Sequence, residues 1–321
     1  MKNFIFNYIK SMRLYYAFIT GISGWIGVSF YHFLFPDDTR PWRTALILIL
    51  LFLSWGINQI INDYLGLPED RINAPNRPMV TGALPVKPAL AVTAAGLLIT
   101  LIIAGLLNPL SIIPLAAGVS LNIIYEYAKA YSLAGNIIFG LMITMCPIFG
   151  FLASGPAPDP LFTSNRISVL MLVFIINGVM TYYTYFKDYE GDRLAGKNTF
   201  VVKYGLNKAR YAALAAGLLT VSLCLVLIAV EALPAGDIIY VKDFIFVGIT
   251  AALLQVWTGY LYFRHPQGAE TYYNLVANFR ACAAANCALI SIFDGRTALY
   301  LLISSYILIG FFFSLYKDAH A

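Results

Sequence analysis

The stretch from 44 to 78 reads TALILILLFLSWGINQIINDYLGLPEDRINAPNRP. Its first part, 44–63, is apolar over a length that crosses a bilayer, for which roughly 20 residues suffice. It then turns polar at Asn62 and Asp63, and Pro68, Pro75 and Pro78 forbid one continuous helix beyond that point. A membrane helix running into a folded polar cap is the pattern on which the rest of the chain is read.

About eight further apolar runs lie near 14–35, 88–107, 109–128, 133–154, 167–187, 209–230, 243–263 and 297–316. The 321 residues are 60% hydrophobic and 12% charged, with mean hydropathy +0.74. No soluble core of this size hides that much apolar surface, so the solvent is the lipid bilayer. The fold class expected is an all-α integral membrane protein, one domain over 1–321. The stretch 270–292 is interrupted by Asn274, Asn278, Arg280 and Asn286 and is read as an interfacial or inward-facing helix.

Counting Lys and Arg in the connections gives an orientation. With the N-terminus inside, Lys2, Lys10, Arg13, Arg71, Arg77, Lys87, Lys129, Lys187, Arg193, Lys197, Lys203, Lys208 and Arg210 fall on the cytoplasmic side. Only Arg40, Arg43, Arg166 and Lys242 fall outside over the first eight helices. The net charge of +5 therefore reflects topology, and nothing resembles a nucleic-acid groove. No protein partner is inferred. Cys146, Cys224, Cys282 and Cys287 sit in apolar segments without metal-type spacing, and His32, His265 and His320 lie near interfaces or the terminus as solvated side chains. The opening MKNFIFNYIKSMRLYY lacks a small-residue cleavage site and reads as an interfacial lead-in.

Two cytoplasmic connections are long and polar, approximately 62–87 and 187–208, four helices apart, which suggests two related helical units facing one another. In the first, Asn58, Asn62, Gly66 and Asp70 recur every four residues, one face of a helix. In the second, YFKDYEGDRLAGKNTFVVKYG at 185–205, Asp188 and Asp192 share a face continued by Thr184, Thr181 and Asn177, and Gly196 marks a helix stop. Carboxylates at membrane depth are costly unless partnered. A few hard oxygen ligands completed by water and phosphate are the usual environment of magnesium, so two facing clusters suit Mg2+ bridging a diphosphate. Arg71, Arg77, Lys129, Lys187, Arg193 and Lys197 supply the anion clamp. Tyr15, Tyr16, Phe18, Tyr182, Tyr183, Tyr185 and Phe186 suit an apolar, cation-tolerant chamber, and are equally expected in an interfacial belt.

Three segments carry a specific resemblance: the Asn62-to-Asp70 motif followed by RINAPNRPMVTG, YEYAKAYSLAGN with Tyr125, Lys129 and Asn136, and KDYEGDRLAGKNT at 187–199. Over most of its length the chain resembles the UbiA superfamily of intramembrane prenyltransferases. The resemblance implies nine transmembrane helices around a central cavity under a cytoplasmic cap. It also implies Mg2+ and an isoprenyl diphosphate, C15 or C20 rather than C10, with Asn62, Asp70, Asp188 and Asp192 as catalytic metal ligands. One departure stands out: the usual pattern N-D-x-x-D-x-x-x-D has Gly66 at its middle aspartate here. Such a variant, paired with D-x-x-x-D, is similar to the branch that acts as membrane terpene cyclases. The expected activity is therefore terpene cyclisation, with prenyl transfer to an aromatic or quinone precursor as the alternative.

Overall fold

The computed structural model describes residues 2–233 and 242–316; His320 and the Lys2 side chain lie outside that description. The chain opens with α1 (Lys2–Met12). Asn7 donates to the Ala83 carbonyl and Tyr8 bonds Thr93, so α1 braces the first polar connection. Arg13 then adopts a left-handed conformation, φ 48°, which turns the chain into the bundle.

The helices that follow are α2 (Ala17–Leu34), α3 (Pro41–Leu65), the short α4 (Leu67–Asn73), α5 (Val86–Leu107), α6 (Ile112–Ala128), α7 (Ala134–Ser154), α8 (Ser164–Lys187), the short α9 (Tyr189–Leu194), α10 (Phe200–Ala229), α11 (Lys242–Arg264), α12 (Glu270–Ile290) and α13 (Gly295–Leu315). Nine helices among the described residues are long and apolar enough to cross a membrane. The seventh span starts earlier than its apolar run, at Phe200, and bends at Gly205, φ 75°. The protein is thus an all-α integral membrane protein. Lipid replaces water around it, which is why Leu98, Ile99, Ile102 and Leu106 on α5 and Ile303, Ile307 and Phe311 on α13 remain exposed.

At the centre, α2 packs on α3, α7 and α12, and α8 on α7, α10 and α12. The helix read as interfacial or inward-facing is inward: α12 is buried from Ala281 to Ile290. Its asparagines lower its hydropathy but donate to neighbouring carbonyls, Asn278 to Met180 at 2.9 Å and Asn274 to His265 at 2.8 Å. Such bonds between helices replace the hydrophobic attraction that lipid cannot supply. The ends of the chain's described part meet, since Tyr316 donates to the Ile9 carbonyl at 3.2 Å. A two-residue parallel bridge, β1 (Tyr131–Ser132) with β2 (Asn198–Thr199), ties the α6–α7 connection to the one after α9.

Candidate active site

Both polar motifs are built alike. Helix α3 ends at Leu65, and Gly66, at φ −89°, ψ 7°, passes the chain into α4. Helix α8 ends at Lys187, and Asp188, at φ −89°, ψ 4°, passes it into α9. The four-residue hydrogen-bond spacing survives each break: Gly66 N–H donates to Asn62, Asp70 N–H to Gly66, and Asp192 N–H to Asp188. Despite Pro68, Asn62 and Asp70 therefore still converge on one side. The cap helices touch through Gly191, where a Cβ would fall 1.4 Å from Asn73 Oδ1. Only a residue without a side chain lets α9 approach α4 that closely.

Between the motifs lies a cavity of ≈ 970 Å³. Asn62, Asp70, Asp188 and Asp192 all line it, with Thr181 and Thr184 below. Its deeper wall is aromatic: Tyr16, stacked on Trp55 at 4.3 Å, with Tyr125, Phe139 and Tyr185. Trp55 also borders a second, mainly apolar chamber of ≈ 590 Å³ between α3, α5, α6 and α7, where Asn58 lies.

Six carboxylates and five cations line the polar cavity. Arg13 binds Asp63, and Arg77 binds Asp70 while standing 4.0 Å from Asp63. Lys129 pairs with Glu126, Lys197 with Glu69 at 2.7 Å, and Lys187 lies 3.7 Å from Asp188. Burial lowers the Lys129 ammonium, but Glu126, with Glu69 and Asp70, outweighs it and holds it above its usual range. Lys197 is pushed down, by burial first and by Lys129 next. Burial, with Asp188 adding to it, drives the Asp192 carboxyl up to about 7.

These groups fit magnesium. Asp192 is a buried carboxyl whose ionised form Lys197 and Lys129 compensate only in part, and Asn62 Oδ1 is buried with no hydrogen-bond partner among the described residues. Both are hard oxygen donors facing the cavity. Among the described residues no three His, Cys, Asp or Glu side chains form a ready cage. That agrees with an ion held by one or two carboxylates per cluster and completed by substrate phosphate. With all six carboxylates ionised the cavity would hold one negative charge in excess of its cations, which divalent cations would offset as a diphosphate enters.

Of the substrate-binding residues expected from the clamp and, for Tyr125 and Asn136, from the resemblance, Arg77, Tyr125, Lys129, Lys187 and Lys197 line the cavity. Arg71, Arg193 and Asn136 do not. Arg71 is exposed on α4, and Arg193, its side chain 58% exposed, pairs with Glu190. Asn136 donates to the Gly178 carbonyl, fastening α7 to α8 beside Gly135, whose Cβ would strike Tyr185. Among the aromatics, Tyr15, Tyr16 and Tyr185 reach the cavity. Tyr182 and Tyr183 instead donate to Ala209 and Ala213 on α10, and Phe18 packs in the apolar core. Unforeseen contributors are Arg13, Gln59, Trp55, Glu126, Asn73 and Phe139. Arg13, Gln59, Glu126 and Asn73 were signalled by polarity beside apolar runs, Glu126 also by its place in the YEYAKAYSLAGN segment, whereas Trp55 and Phe139 carried no signal of a shared site.

Among the described residues, the long helices α3, α6, α7, α8 and α12, with the short α4 and α9, line a charged pocket within an otherwise apolar bundle, the architecture of an intramembrane protein. The chain belongs to the UbiA prenyltransferase family, whose profile matches residues 23–279. Over 215 residues it is 26% identical to a digeranylgeranylglyceryl phosphate synthase of Pyrococcus abyssi, covering 67% of this chain and 74% of the relative. A UbiA homolog from Archaeoglobus fulgidus bound to DMAPP and Mg2+ has the same fold, TM-score 0.59 at 17% identity over 98% of both chains. So has the apo UbiA homolog from Aeropyrum pernix K1, TM-score 0.61 at 16% identity over 95% of this chain and 97% of that one.

Proposed function

We propose that this protein ionises an isoprenyl diphosphate at the facing motifs and transfers the prenyl group to a lipid-soluble acceptor. The observation that carries the reading is the convergence of Asn62, Asp70, Asp188 and Asp192 on one cavity whose floor is aromatic. Asn62 and the three aspartates hold magnesium, which when bound neutralises charge on the leaving diphosphate. Arg13, Arg77, Lys129, Lys187 and Lys197 release their carboxylate partners to grip the phosphate oxygens, the arginines in fork geometry. Tyr16, Trp55 and Phe139 present ring faces to the allylic cation, worth roughly 1–2 kcal/mol each when desolvated. The α4–α9 cap keeps bulk water from quenching it. The apolar chamber that Trp55 also borders is a candidate site for the apolar tail of the donor.

Transfer is favoured over cyclisation by the relatives, whose names describe synthesis of a digeranylgeranylglyceryl phosphate. The same names favour a C20 donor. Cyclisation keeps one observation of its own, the glycine at position 66, which matches the terpene cyclase variant of the motif. The orientation follows the positive-inside excess: N-terminus, caps and cavity mouth face the cytoplasm.

The test is mass spectrometry of products from the membrane-embedded protein with Mg2+ and C10, C15 or C20 diphosphates. Each is supplied alone, with a glyceryl phosphate lipid, or with phenolic and quinone precursors. Prenylated acceptor, absent in Asp188→Asn, is the expected result. A cyclic terpene formed without acceptor would establish cyclisation instead, and no pyrophosphate release with any donor would overturn both.

A further inference from the structure

One position in the Asn62–Gly66–Asp70 row has no side chain, and the space over it is filled from another helix. A Cβ on Gly66 would lie 3.5 Å from Glu126 Oε2 and 3.7 Å from Lys129 Nζ. Glu126 stands near the end of α6, its side chain 7% exposed, and lines the cavity. A carboxylate at that depth persists only with a partner, and Lys129, three residues on, bonds the same oxygen that faces Gly66. One step up the row, Asn62 lines the same cavity, and its Oδ1 is buried with no hydrogen-bond partner among the described residues. The oxygen donors are therefore ordered Asn62, Glu126, Asp70.

We propose that Glu126 supplies, from α6, the carboxylate that the first motif lacks at Gly66, and binds magnesium together with Asn62 and Asp70. Lys129 neutralises it before substrate enters. When the diphosphate arrives, Lys129 exchanges its carboxylate partner for a phosphate oxygen and frees Glu126 for the cation. Gly66 is required by this arrangement, because an aspartate there would press a second carboxylate onto the first. The proposal rests on the diphosphate reading above and adds to it a ligand outside both motifs.

The test uses full-length protein in detergent, with Mn2+ as probe and inorganic pyrophosphate as the anion, and reads bound Mn2+ by electron paramagnetic resonance. Glu126→Gln is expected to weaken Mn2+ binding at least about tenfold, the scale of losing one group from a metal site. Moving the carboxylate, in Gly66→Asp with Glu126→Gln, is expected to restore affinity to within about threefold of wild type. Gly66→Asp alone gains nothing. Glu126→Asp keeps a partner for Lys129, and is expected to weaken Mn2+ by a few-fold while leaving pyrophosphate affinity measured without metal unchanged. Unchanged Mn2+ affinity in Glu126→Gln and Glu126→Asp, with only pyrophosphate binding reduced, would overturn the proposal and leave Glu126 as a positioning residue for Lys129. A double variant as weak as Glu126→Gln would overturn it too. Wild type that binds no Mn2+ would overturn the diphosphate reading itself along with it.

Discussion

Replacing Arg13 by alanine tests how the cavity keeps its charges. Arg13 is the principal partner of Asp63, whose side chain is 2% exposed. Truncating one partner of a buried pair typically costs about 3–5 kcal/mol, because the other charge is stranded. Here Asp63 would retain the Gln59 amide at 2.9 Å and Arg77 at 4.0 Å, so a cost somewhat below that range, about 2–3 kcal/mol, is expected. At about 2 °C per kcal/mol for a chain of this size, Arg13→Ala lowers the unfolding midpoint in detergent by roughly 4–6 °C. Arg13→Met with Asp63→Asn removes both charges while keeping volume. It is expected to lie within about 1 kcal/mol of wild type, the cost of a balanced replacement. The assay is thermal unfolding of wild type, Arg13→Met, Asp63→Asn and the double variant, with Arg13→Ala measured beside them. A double variant as unstable as the sum of the singles would refute the pairing as the source of the loss. So would Arg13→Ala melting with wild type.

Three further outcomes are expected. In chelator, wild type should lose stability as pH rises from about 4 towards and through about 7. The native Asp192 carboxyl, pushed up to about 7, holds a proton there that the unfolded chain has released. Asp192→Asn should flatten that slope in pH-dependent melting, and an unchanged slope would remove Asp192 as its origin. Gly191→Leu should drive α9 off Asn73, costing about 1–3 kcal/mol by overpacking and abolishing prenyl transfer, which product assay and melting together would show. Arg193→Ala should change turnover less than about twofold, since its pair with Glu190 is exposed and exposed pairs contribute little; a larger loss in kinetics would bring Arg193 back into the clamp.

Much of the fold was legible because lipid imposes a length and a polarity on every helix that faces it. The runs at 88–107 and 109–128 reappear almost unchanged as α5 and as α6 with the short turn before it, from Pro109. Helix α12 resisted the same reading for a physical reason. It is buried in protein from Ala281 to Ile290, and Asn278 and Asn274 are satisfied by carbonyls of α8 and of the α11 end rather than excluded. Hydropathy measures contact with lipid and is silent about that.

The four-residue spacing of Asn62, Gly66 and Asp70, and of Asp188 and Asp192, was fixed by the sequence, because a helical hydrogen-bond register holds through both breaks. So was the number of long apolar helices. Which charges meet was decided only in three dimensions. Arg13 reaches Asp63 through a left-handed turn fifty residues earlier in the chain, and Glu126 arrives over Gly66 from α6. Arg71 and Arg193, as basic as Arg77, point away from the cavity's lining. Local spacing is set by backbone geometry, whereas the meeting of distant side chains depends on how helices pack, and packing is a property of the whole bundle.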